Sequence, residues 1–567
     1  MSKEKIKIKI NNQEIIAEKG QTILEIAMQN GIKIPYLCYH PDLKPKASCR
    51  LCLVKIKGYN ELKTSCSTIA EDGMEIITES PEIKKARKTN LELLFGEHSK
   101  ECSDCVYEHN CQLLQLAKKL NIQQNKYLKR KSYLPSKNFG PAIHFQKSKC
   151  IDCQNCVEAC KKYATGYLEV KEKGPFFRIE PSKDKGKICL YCGQCLAHCP
   201  VGAFEAAGEF EEVNQNLANK NKIVVFQFAP SIRTSIGEEF GLFTGEDLSE
   251  RIVAGLKKIG ADYVFDTCVG ADFTTSVEAK HCIEKLEAEK NPLVLTSCCP
   301  SWVRYVEFYY PEFIKNLATV RSPQIILGGL VKTYWAAKMK IDPKNIYIIS
   351  IMPCTAKKYE ITREELSINS IKPVDQVITT REIAYLFHKK NIHLLEIDPE
   401  KPDNPLGISS GAGVIYGASG GVMTSALRTV ADRLKQKIKI NFVASKEIPG
   451  VKEAKIKINN KKYRVAIVVG IAGAKKIMQK QKKNPGYYNF IEVMVCPGGC
   501  IGGGGQPVPN TKEMRDIRAR GLFKIDQDKN LRLAHKNPIV KTVFKEYFND
   551  EKNLEKVCKT KFSQKFE

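Results

Sequence analysis

Cysteine is the residue type in this sequence with the most evident chemistry. The chain has 23 cysteines in 567 residues, and its start, MSKEKIKIKI, lacks the apolar segment of an export signal. In a reducing compartment, cysteines more often bind metal or act as catalytic thiols than form disulfides. We therefore predict a cytoplasmic protein whose thiolates bind metal, and the cysteine spacing indicates which metal.

The first set of ligands has the spacing C-x10-C-x2-C-x13-C and comprises Cys38, Cys49, Cys52 and Cys66. Four thiolates suit a 2Fe-2S cluster, with structural zinc as the alternative. Upstream, the alternating KIKIKI, the turn Asn11-Asn12 and the run QEIIAE predict a hairpin, and a helix is predicted from Thr22 to about Asn30. The spacing resembles that of β-grasp 2Fe-2S ferredoxins.

The second set follows the pattern H-x3-C-x2-C-x5-C and comprises His98, Cys102, Cys105 and Cys111. Taken alone, this set fits zinc as well as it fits an iron–sulfur cluster, because three cysteines and one histidine are a common zinc set. Its neighbours in the chain favour a 4Fe-4S cluster instead. His109 also lies in this segment, and we interpret it as a bystander.

The third and fourth sets are near-identical repeats, CIDCQNCVEAC and CLYCGQCLAHCP. Each is the C-x2-C-x2-C-x3-C run of bacterial two-cluster ferredoxins, in which the fourth cysteine ligates the other cluster. This rule pairs Cys150, Cys153 and Cys156 with Cys199, and Cys189, Cys192 and Cys195 with Cys160. Four clusters in succession indicate the conduction of single electrons.

Three later segments carry most of the other cysteines: TSCCPSW (296–302), MPCTAKKYE (352–360) and EVMVCPGGCIGGGGQP (492–507). Each follows an apolar, β-like run, so we expect all three at the carboxyl ends of strands, where open α/β sheets place their sites. Together they offer four thiolates for a fifth cluster, with one cysteine left over. Because successive side chains in extended backbone point to opposite faces, Cys298 and Cys299 are predicted to have different roles.

Taken together, the three segments resemble the signature motifs of the iron-only (FeFe) hydrogenases, whose larger members carry the four preceding cluster patterns in the same order. The resemblance implies that a 4Fe-4S cubane is held by Cys299, Cys354, Cys496 and Cys500. Cys500 would bridge to a two-iron subsite with CO, cyanide and a bridging dithiolate. The implied cofactors are this H-cluster, one 2Fe-2S cluster and three accessory 4Fe-4S clusters, and the implied activity is reversible proton reduction to H2.

The resemblance also implies roles for individual residues. Cys298 would donate protons, and Lys357 would hydrogen-bond a cyanide. The wall of the subsite would comprise Ala229, Pro230, Ser231, Pro323, Gln324, Met352 and Met494. A proton path would run through Glu278 and Ser322 to His281, which stands where the family has an outer glutamate. We hypothesise that His281 is the surface entry, with Glu284 as the next candidate.

Three further positions depart from the family pattern. Cys268 stands where a polar residue such as asparagine is common, Tyr416 replaces a usual phenylalanine, and Ser301 replaces glycine or alanine. A spare thiol near the site would bear on oxygen sensitivity, but we interpret Cys268 as a buried, inert cysteine.

The predicted architecture is modular. Its catalytic part is an α/β domain with two sheet lobes around the H-cluster, preceded by a β-grasp 2Fe-2S domain, a small helical 4Fe-4S segment and a ferredoxin-like dicluster domain. The predicted boundaries are 1–79 for the 2Fe-2S domain, 80–131 for the His/Cys3 domain, 132–213 for the dicluster domain, 214–510 for the catalytic domain and 511–567 for a C-terminal segment packing on it.

The chain is basic, with 90 Lys and Arg against 63 Asp and Glu. The lysines are spread along the chain and no nucleic-acid-binding motif or membrane span is evident, so neither nucleic acid nor membrane is predicted as a partner. The predicted partners are ferredoxin or a similar electron carrier, H2 and protons, and hydrogenase maturation proteins. The alternatives are the H2-activating subunit of an NAD(P)-linked bifurcating complex, a redox or H2 sensor, and an iron–sulfur assembly protein.

Overall fold

The N-terminal module is a small sheet with one helix. The computed structural model describes residues 4–98, 102, 105–122, 135–172, 177–208 and 210–566. The sheet has the order β2-β1-β5-β3-β4, and its elements are β1 Lys5–Ile10, β2 Gln13–Glu18, α1 Ile23–Gln29, β3 Leu53–Ile56, β4 Lys63–Thr64 and β5 Glu75–Ile77.

Local sequence explains the start of this module. In β1 the isoleucines face the core and the lysines are exposed or partly buried, as period-two alternation requires. Asn11 and Asn12 have φ of 48° and 68°, which suits a two-residue hairpin turn. Thr22 and Glu25 form a capping box at the start of α1. The predicted hairpin and helix are confirmed.

The middle of the chain holds short elements around the cysteine runs. These are α2 Pro81–Glu97, α3 Gln112–Lys119, β6 Lys137–Phe139, β7 Ile143–Phe145, α4 Asn155–Tyr163, β8 Leu168–Lys171, β9 Arg178–Pro181, α5 Gln194–Ala197 and β10 Phe204–Ala206. Gln154 and Gly193, which precede α4 and α5, have left-handed φ of 64° and 67°. The two runs are therefore repeats in backbone conformation as well as in sequence.

The predicted catalytic region (214–510) contains two sheets. Their strands are β11 Ile223–Phe228, β12 Tyr263–Asp266, β13 Val294–Leu295, β14 Ile346–Met352, β15 Gln376–Thr379, β16 Val443–Ala444, β17 Val451–Ile458, β18 Lys461–Val469 and β19 Phe490–Met494. The first sheet, β12-β11-β14-β15, is parallel throughout. The second, β13-β19-β18-β17-β16, is parallel at β13, β19 and β18 and antiparallel beyond. The three apolar runs that precede the cysteine loops end in β13, β14 and β19, as predicted.

Helices cover both sheets. They are α6 Phe210–Ala218, α7 Ser249–Lys258, α8 Thr267–Ala288, α9 Pro300–Tyr309, α10 Pro323–Leu330, α11 Ala336–Met339, α12 Ala356–Glu360, α13 Thr380–Lys389, α14 Gly411–Val414, α15 Gly421–Arg433 and α16 Ile471–Lys483. Helix α8 is buried from Thr267 to Ala279. It therefore provides interior positions for polar side chains such as Glu278.

The C-terminal segment packs against the catalytic region. It contains α17 Lys512–Asp528, α18 Pro538–Glu546 and α19 Glu551–Cys558. Arg518 on α17 is fully buried and donates from Nε and Nη2 to the Glu238 carboxylate, at 2.6 Å each. This buried bidentate ion pair stabilises the packing of α17, because moving the helix away would leave both charges buried and unpaired.

The predicted domain boundaries remain predictions, and the one at 131/132 falls outside the described residues. In the part of the chain that the structure describes, no helix combines the length and apolar character needed to cross a bilayer.

Candidate active site

A cavity lies where strands of both catalytic sheets end. The segments that line it lie at the carboxyl ends of β11, β13, β14 and β19 and include residues 229–231, 298–301, 352–354, 494–496, 499 and 500. The carboxyl ends of parallel strands meet at one edge of a sheet. Two such edges therefore face one space, which brings together the three cysteine loops of the sequence.

Four of the cysteines in these loops form one group. Every pair among Cys299, Cys354, Cys496 and Cys500 is close enough for the thiolate charges to repel. Burial raises the pKa of all four thiols, that of Cys354 to about 12. Ionising such a set requires a multivalent cationic core, and four soft thiolates suit an iron–sulfur cubane. The residues present therefore fit the predicted cluster.

Cys298 lines the same cavity, but its surroundings favour the protonated thiol. Burial and the nearby Glu278 carboxylate raise the pKa of Cys298 well above its usual value. Its carbonyl oxygen accepts a hydrogen bond from Lys357 Nζ at 3.2 Å. A thiol that retains its proton at neutral pH has the property needed of a proton donor.

Lys357 is paired with a glutamate that sequence reasoning missed. Its Nζ lies 3.1 and 2.9 Å from the two carboxylate oxygens of Glu360, which also accepts from Ser322 Oγ at 2.8 Å and Gln324 Nε2 at 2.6 Å. Burial opposes the charge of Lys357, but Glu360 and the nearby Cys354 outweigh it, so the Lys357 pKa is raised. The signal was present in MPCTAKKYE, since positions three apart on a helix are neighbours.

The predicted wall residues surround the cavity together. All seven line it, namely Ala229, Pro230, Ser231, Pro323, Gln324, Met352 and Met494. Ser301 and Tyr416, two of the departures from the family pattern, line it as well. The wall is thus mainly apolar side chains with a few polar groups, which is the usual composition of a cofactor pocket.

The predicted proton path is only partly assembled. Glu278 is buried, and burial together with the nearby Glu492 raises its pKa to about 8. Ser322 bonds Glu360, and among the described residues no hydrogen bond joins it to Glu278. His281 is half-buried one helical turn beyond Glu278 on α8. The relay roles of Ser322 and His281 therefore remain predictions.

Tyr416 and Cys268, two residues that differ from the family pattern, both make specific contacts. The Tyr416 hydroxyl is 2.7 Å from Thr275 Oγ1, which is 2.8 Å from Ser425 Oγ. Cys268 is fully buried, accepts a hydrogen bond from Arg233 Nη2 at 3.0 Å, and is not among the residues that line the cavity. A thiol in this position fits the interpretation of Cys268 as a buried, inert cysteine.

The two ferredoxin-type runs cross over in space. Cys153 has Cys150 and Cys199 as close neighbours, whereas Cys195 has Cys192, Cys189 and Cys160. Each group thus combines three cysteines of one run with the last cysteine of the other, in the arrangement that the spacing rule predicts.

The four cysteines of the first ligand set lie together, and in the second set Cys111 neighbours Cys102 and Cys105. Cys38 bonds the Cys49 amide at 3.5 Å, and Cys52 and Cys66 are close neighbours. His98 is buried with its Nδ1 3.0 Å from the Lys149 carbonyl oxygen. An Nδ1–H that donates to a carbonyl leaves the lone pair on Nε2, which is how metal-binding histidines are oriented.

The four ligand sets form a branched arrangement rather than the linear series suggested by their order in sequence. Cys153 of the first ferredoxin-type group neighbours Cys38, and Cys111 neighbours Cys199 of the same group. Cys156 in turn neighbours Cys195 of the second group. The first ferredoxin-type group is therefore a junction between both N-terminal sets and the second ferredoxin-type group.

The second ferredoxin-type group approaches the cysteine-lined cavity through two glycines. A Cβ on Gly193 would lie 2.5 Å from Thr355 Oγ1 and 2.8 Å from Gly504 Cα. Gln194 Nε2 donates to the Gly502 carbonyl at 2.9 Å, and Cys192 neighbours both Cys354 and Cys496. Only glycine allows the two backbones to approach so closely.

Comparisons with known proteins agree with this architecture. A family model described as "Iron only hydrogenase large subunit, C-terminal domain" matches residues 222–504. Models for a 2Fe-2S domain, an NADH-ubiquinone oxidoreductase-G iron-sulfur binding region and a 4Fe-4S dicluster domain match 3–81, 87–126 and 149–203. These matches support iron–sulfur domains rather than zinc sites. An "Iron hydrogenase small subunit" model matches 512–558, which sequence reasoning treated only as a packing segment.

Two curated relatives align along nearly the whole chain. NADP-reducing hydrogenase subunit HndD of Solidesulfovibrio fructosivorans is 35% identical over 561 residues, covering 95% of each chain. Iron hydrogenase 1 of Clostridium pasteurianum is 35% identical over 553 residues, covering 95% of this chain and 96% of its own. A solved structure of the [FeFe]-hydrogenase HydA1 from Chlamydomonas reinhardtii is 30% identical with a TM-score of 0.57, covering 63% of this chain and 98% of its own.

Proposed function

The chain belongs to the iron-only hydrogenase family, and from that premise we propose that it catalyses the reversible reduction of protons to H2. The observation that carries the proposal is the cavity in which four mutually close cysteines lie beside Cys298 and the buried Lys357. A structural iron–sulfur site would need the four thiols alone. The extra thiol and the buried cation are additional groups suited to proton donation and anion binding.

The bound H-cluster would supply iron-centred redox chemistry at this cavity. Cys299, Cys354, Cys496 and Cys500 are proposed to hold its cubane, with Cys500 shared with the two-iron subsite. Lys357 would bind an anionic ligand of the subsite, since its Nζ is a charged donor in a buried wall. Glu360 keeps that ammonium charged and oriented, and the methionine and proline side chains exclude bulk water.

Proton delivery is proposed to pass through Cys298 and Glu278. The Cys298 thiol holds a proton at the cavity wall, and the Glu278 carboxyl, with its pKa raised to about 8, is available to replace it. Proton transfer is efficient when the pKa of the relaying group lies near the working pH. Glu278 meets that condition at neutral to mildly alkaline pH.

Electrons are proposed to reach the cavity through the branched cysteine sets. Two kinds of electron partner have support. The cluster domains suit a single-electron carrier such as ferredoxin, whereas the similarity to HndD favours a subunit of an NADP-linked hydrogenase complex. Isolation of the tagged chain from its native host distinguishes them: co-purification of a flavin-binding subunit supports the complex, and an isolated chain that turns over with reduced ferredoxin supports the carrier.

Infrared spectroscopy of the matured protein tests the proposed function. We expect bands of iron-bound CO and cyanide, together with H2 evolution when reduced carrier is supplied. A protein that contains iron–sulfur clusters but shows neither these bands nor turnover would contradict the proposal and would support the sensor or assembly alternatives instead.

His281 provides a test of the outer proton path. Burial and the nearby Lys285 lower the pKa of His281, so the ring accepts a proton only at acid pH. We expect His281→Ala to slow H2 evolution roughly 3- to 10-fold below pH 6 and less above pH 7, because only a protonated imidazole can pass a proton inward.

The matched control for His281 is Glu284→Ala on the same helix. Glu284 is solvent-exposed, 3.9 Å from Lys280, and its loss should leave the pH profile unchanged if His281 is the entry. A His281→Ala profile identical to wild type, with a changed profile for Glu284→Ala, would instead assign the entry to Glu284.

A further inference from the structure

Two histidines outside the cavity face each other where the 2Fe-2S module meets the dicluster module. His40 follows Cys38 by two residues and His198 precedes Cys199, and their ring centroids are 4.4 Å apart. Both are buried, with 6% and 2% of their surface exposed. Neither residue has a role in the proposed hydrogenase function.

Each of these rings has one nitrogen without a partner. Among the described residues, Nε2 of His40 and Nε2 of His198 are buried and make no hydrogen bond, although both residues line one cavity. His198 Nδ1 lies 2.8 Å from the Gln194 carbonyl oxygen. That contact places the ring proton on Nδ1 and leaves a lone pair on Nε2.

A carboxylate completes the cluster. One ligand atom each from His40, Asp42 and His198 lie within 4.8 Å of one another. The Asp42 side chain is 13% exposed, and its Oδ2 accepts from Arg515 Nη2 at 2.7 Å, which leaves Oδ1 available. A carboxylate held by arginine and an imidazole held by a carbonyl are typical of metal ligands, whose orientation is set by such outer contacts.

We propose that His40, Asp42 and His198 form a binding site for a divalent transition-metal ion of the zinc class. Two imidazoles and a carboxylate are a common zinc ligand set. The ion would join the 2Fe-2S module to the dicluster module. Because Arg515 of the C-terminal segment donates to Asp42, that segment would be linked to the same site. The ion thus acts as a crosslink between parts of the chain that are distant in sequence.

Two features of the site oppose binding of the ion, and the second is offset by the neighbouring cysteine sets. The Asp42 backbone N–H donates to His40 Nδ1 at 3.2 Å, which places the proton of the neutral ring on Nε2. Binding an ion through Nε2 requires that proton to move to Nδ1, so this long hydrogen bond is lost. Lys162, which donates to the Asp42 carbonyl, and Arg515 are cationic. The flanking cysteine sets offset that charge when loaded, because four thiolates outweigh the charge of an iron–sulfur core.

Zinc content of the purified holoenzyme tests the site. We expect about one zinc per chain in wild type grown with added zinc, with two imidazoles visible in the zinc-edge absorption spectrum. In His198→Gln and in Asp42→Asn the zinc content should fall to roughly a tenth or less, while the iron content measured on the same samples stays unchanged.

His393→Gln is the matched control, because His393 is exposed and distant from the cluster in sequence. It should retain the zinc of wild type. Wild type without zinc, or variants with intact iron that keep the full zinc content, would overturn the proposal. If a substitution also lowers the iron content, the imidazole signature in the wild-type spectrum decides the question without the variants.

Discussion

Cys298→Ala is expected to abolish H2 turnover while the protein keeps its full complement of iron. Cys298 lies at the cavity wall with its pKa raised by burial and by Glu278, so it holds a proton but is not needed as one of the four clustered thiolates. Loss of a positioned proton donor typically slows a reaction by about 10²- to 10⁴-fold. The measurement is H2 evolution and iron content on the same matured sample.

Two controls separate the role of Cys298 from the removal of any buried thiol. Cys299→Ala removes a proposed iron ligand and should lose the cubane along with activity. Cys282→Ala removes a buried thiol that also neighbours Glu278 but lies outside the cavity, and it should leave both quantities near wild type. A Cys298→Ala protein that turns over normally, or one that loses iron as Cys299→Ala does, would refute the division of labour.

Gly193→Ala is expected to cut electron delivery to the cavity. The new Cβ would clash with Thr355 and with the backbone of Gly504, and Gly193 also has a left-handed φ of 67°. Because one of the clashing groups is backbone, the two modules must move apart, at a cost of roughly 1–3 kcal/mol in stability. Tunnelling falls steeply with distance, so we expect carrier-driven H2 evolution to drop well below wild type.

Gly241→Ala is the matched control for this prediction. Gly241 has a left-handed φ of 83° but nothing within 4 Å of an added Cβ, so it measures backbone strain without a clash. It should lower the free energy of unfolding by about 1–2 kcal/mol, which appears as a slightly lower midpoint of thermal unfolding. Carrier-driven activity should stay intact. If the Gly193 and Gly241 variants behave alike in both assays, the close approach of the two modules is not what transmits electrons.

The ligand groups and several strands of this protein could be predicted from local sequence. Ligand spacing such as C-x2-C-x2-C-x3-C is determined by the reach of a few backbone bonds around a cluster, so it predicts the ligand groups without a fold. The alternating KIKIKI and the apolar runs before the cysteine loops predicted strands that the structure confirms. Family resemblance then ordered the modules, and comparison with known proteins agrees.

Other features depend on contacts between residues far apart in sequence. The sequence order suggested clusters in a line, but the packing of modules makes the first ferredoxin-type group a junction. Ser322 matched a relay position in the motif, yet its hydroxyl bonds Glu360. No local pattern specifies which carboxylate a side chain will meet, since that depends on how helices pack.

Short-range spacing and residue type were sufficient to predict the metal-binding groups, the strands that precede the cysteine loops, and the family; the structure and the comparisons bear out the strands and the family. The folded chain was needed to show that Ser322 and Gln324 converge on Glu360, that Gly193 meets Gly504, and that His40 and His198 face each other across a module boundary. These contacts arise where separately predictable helices or modules pack, and the free energy of that packing is a property of the complementary surfaces rather than of any one segment.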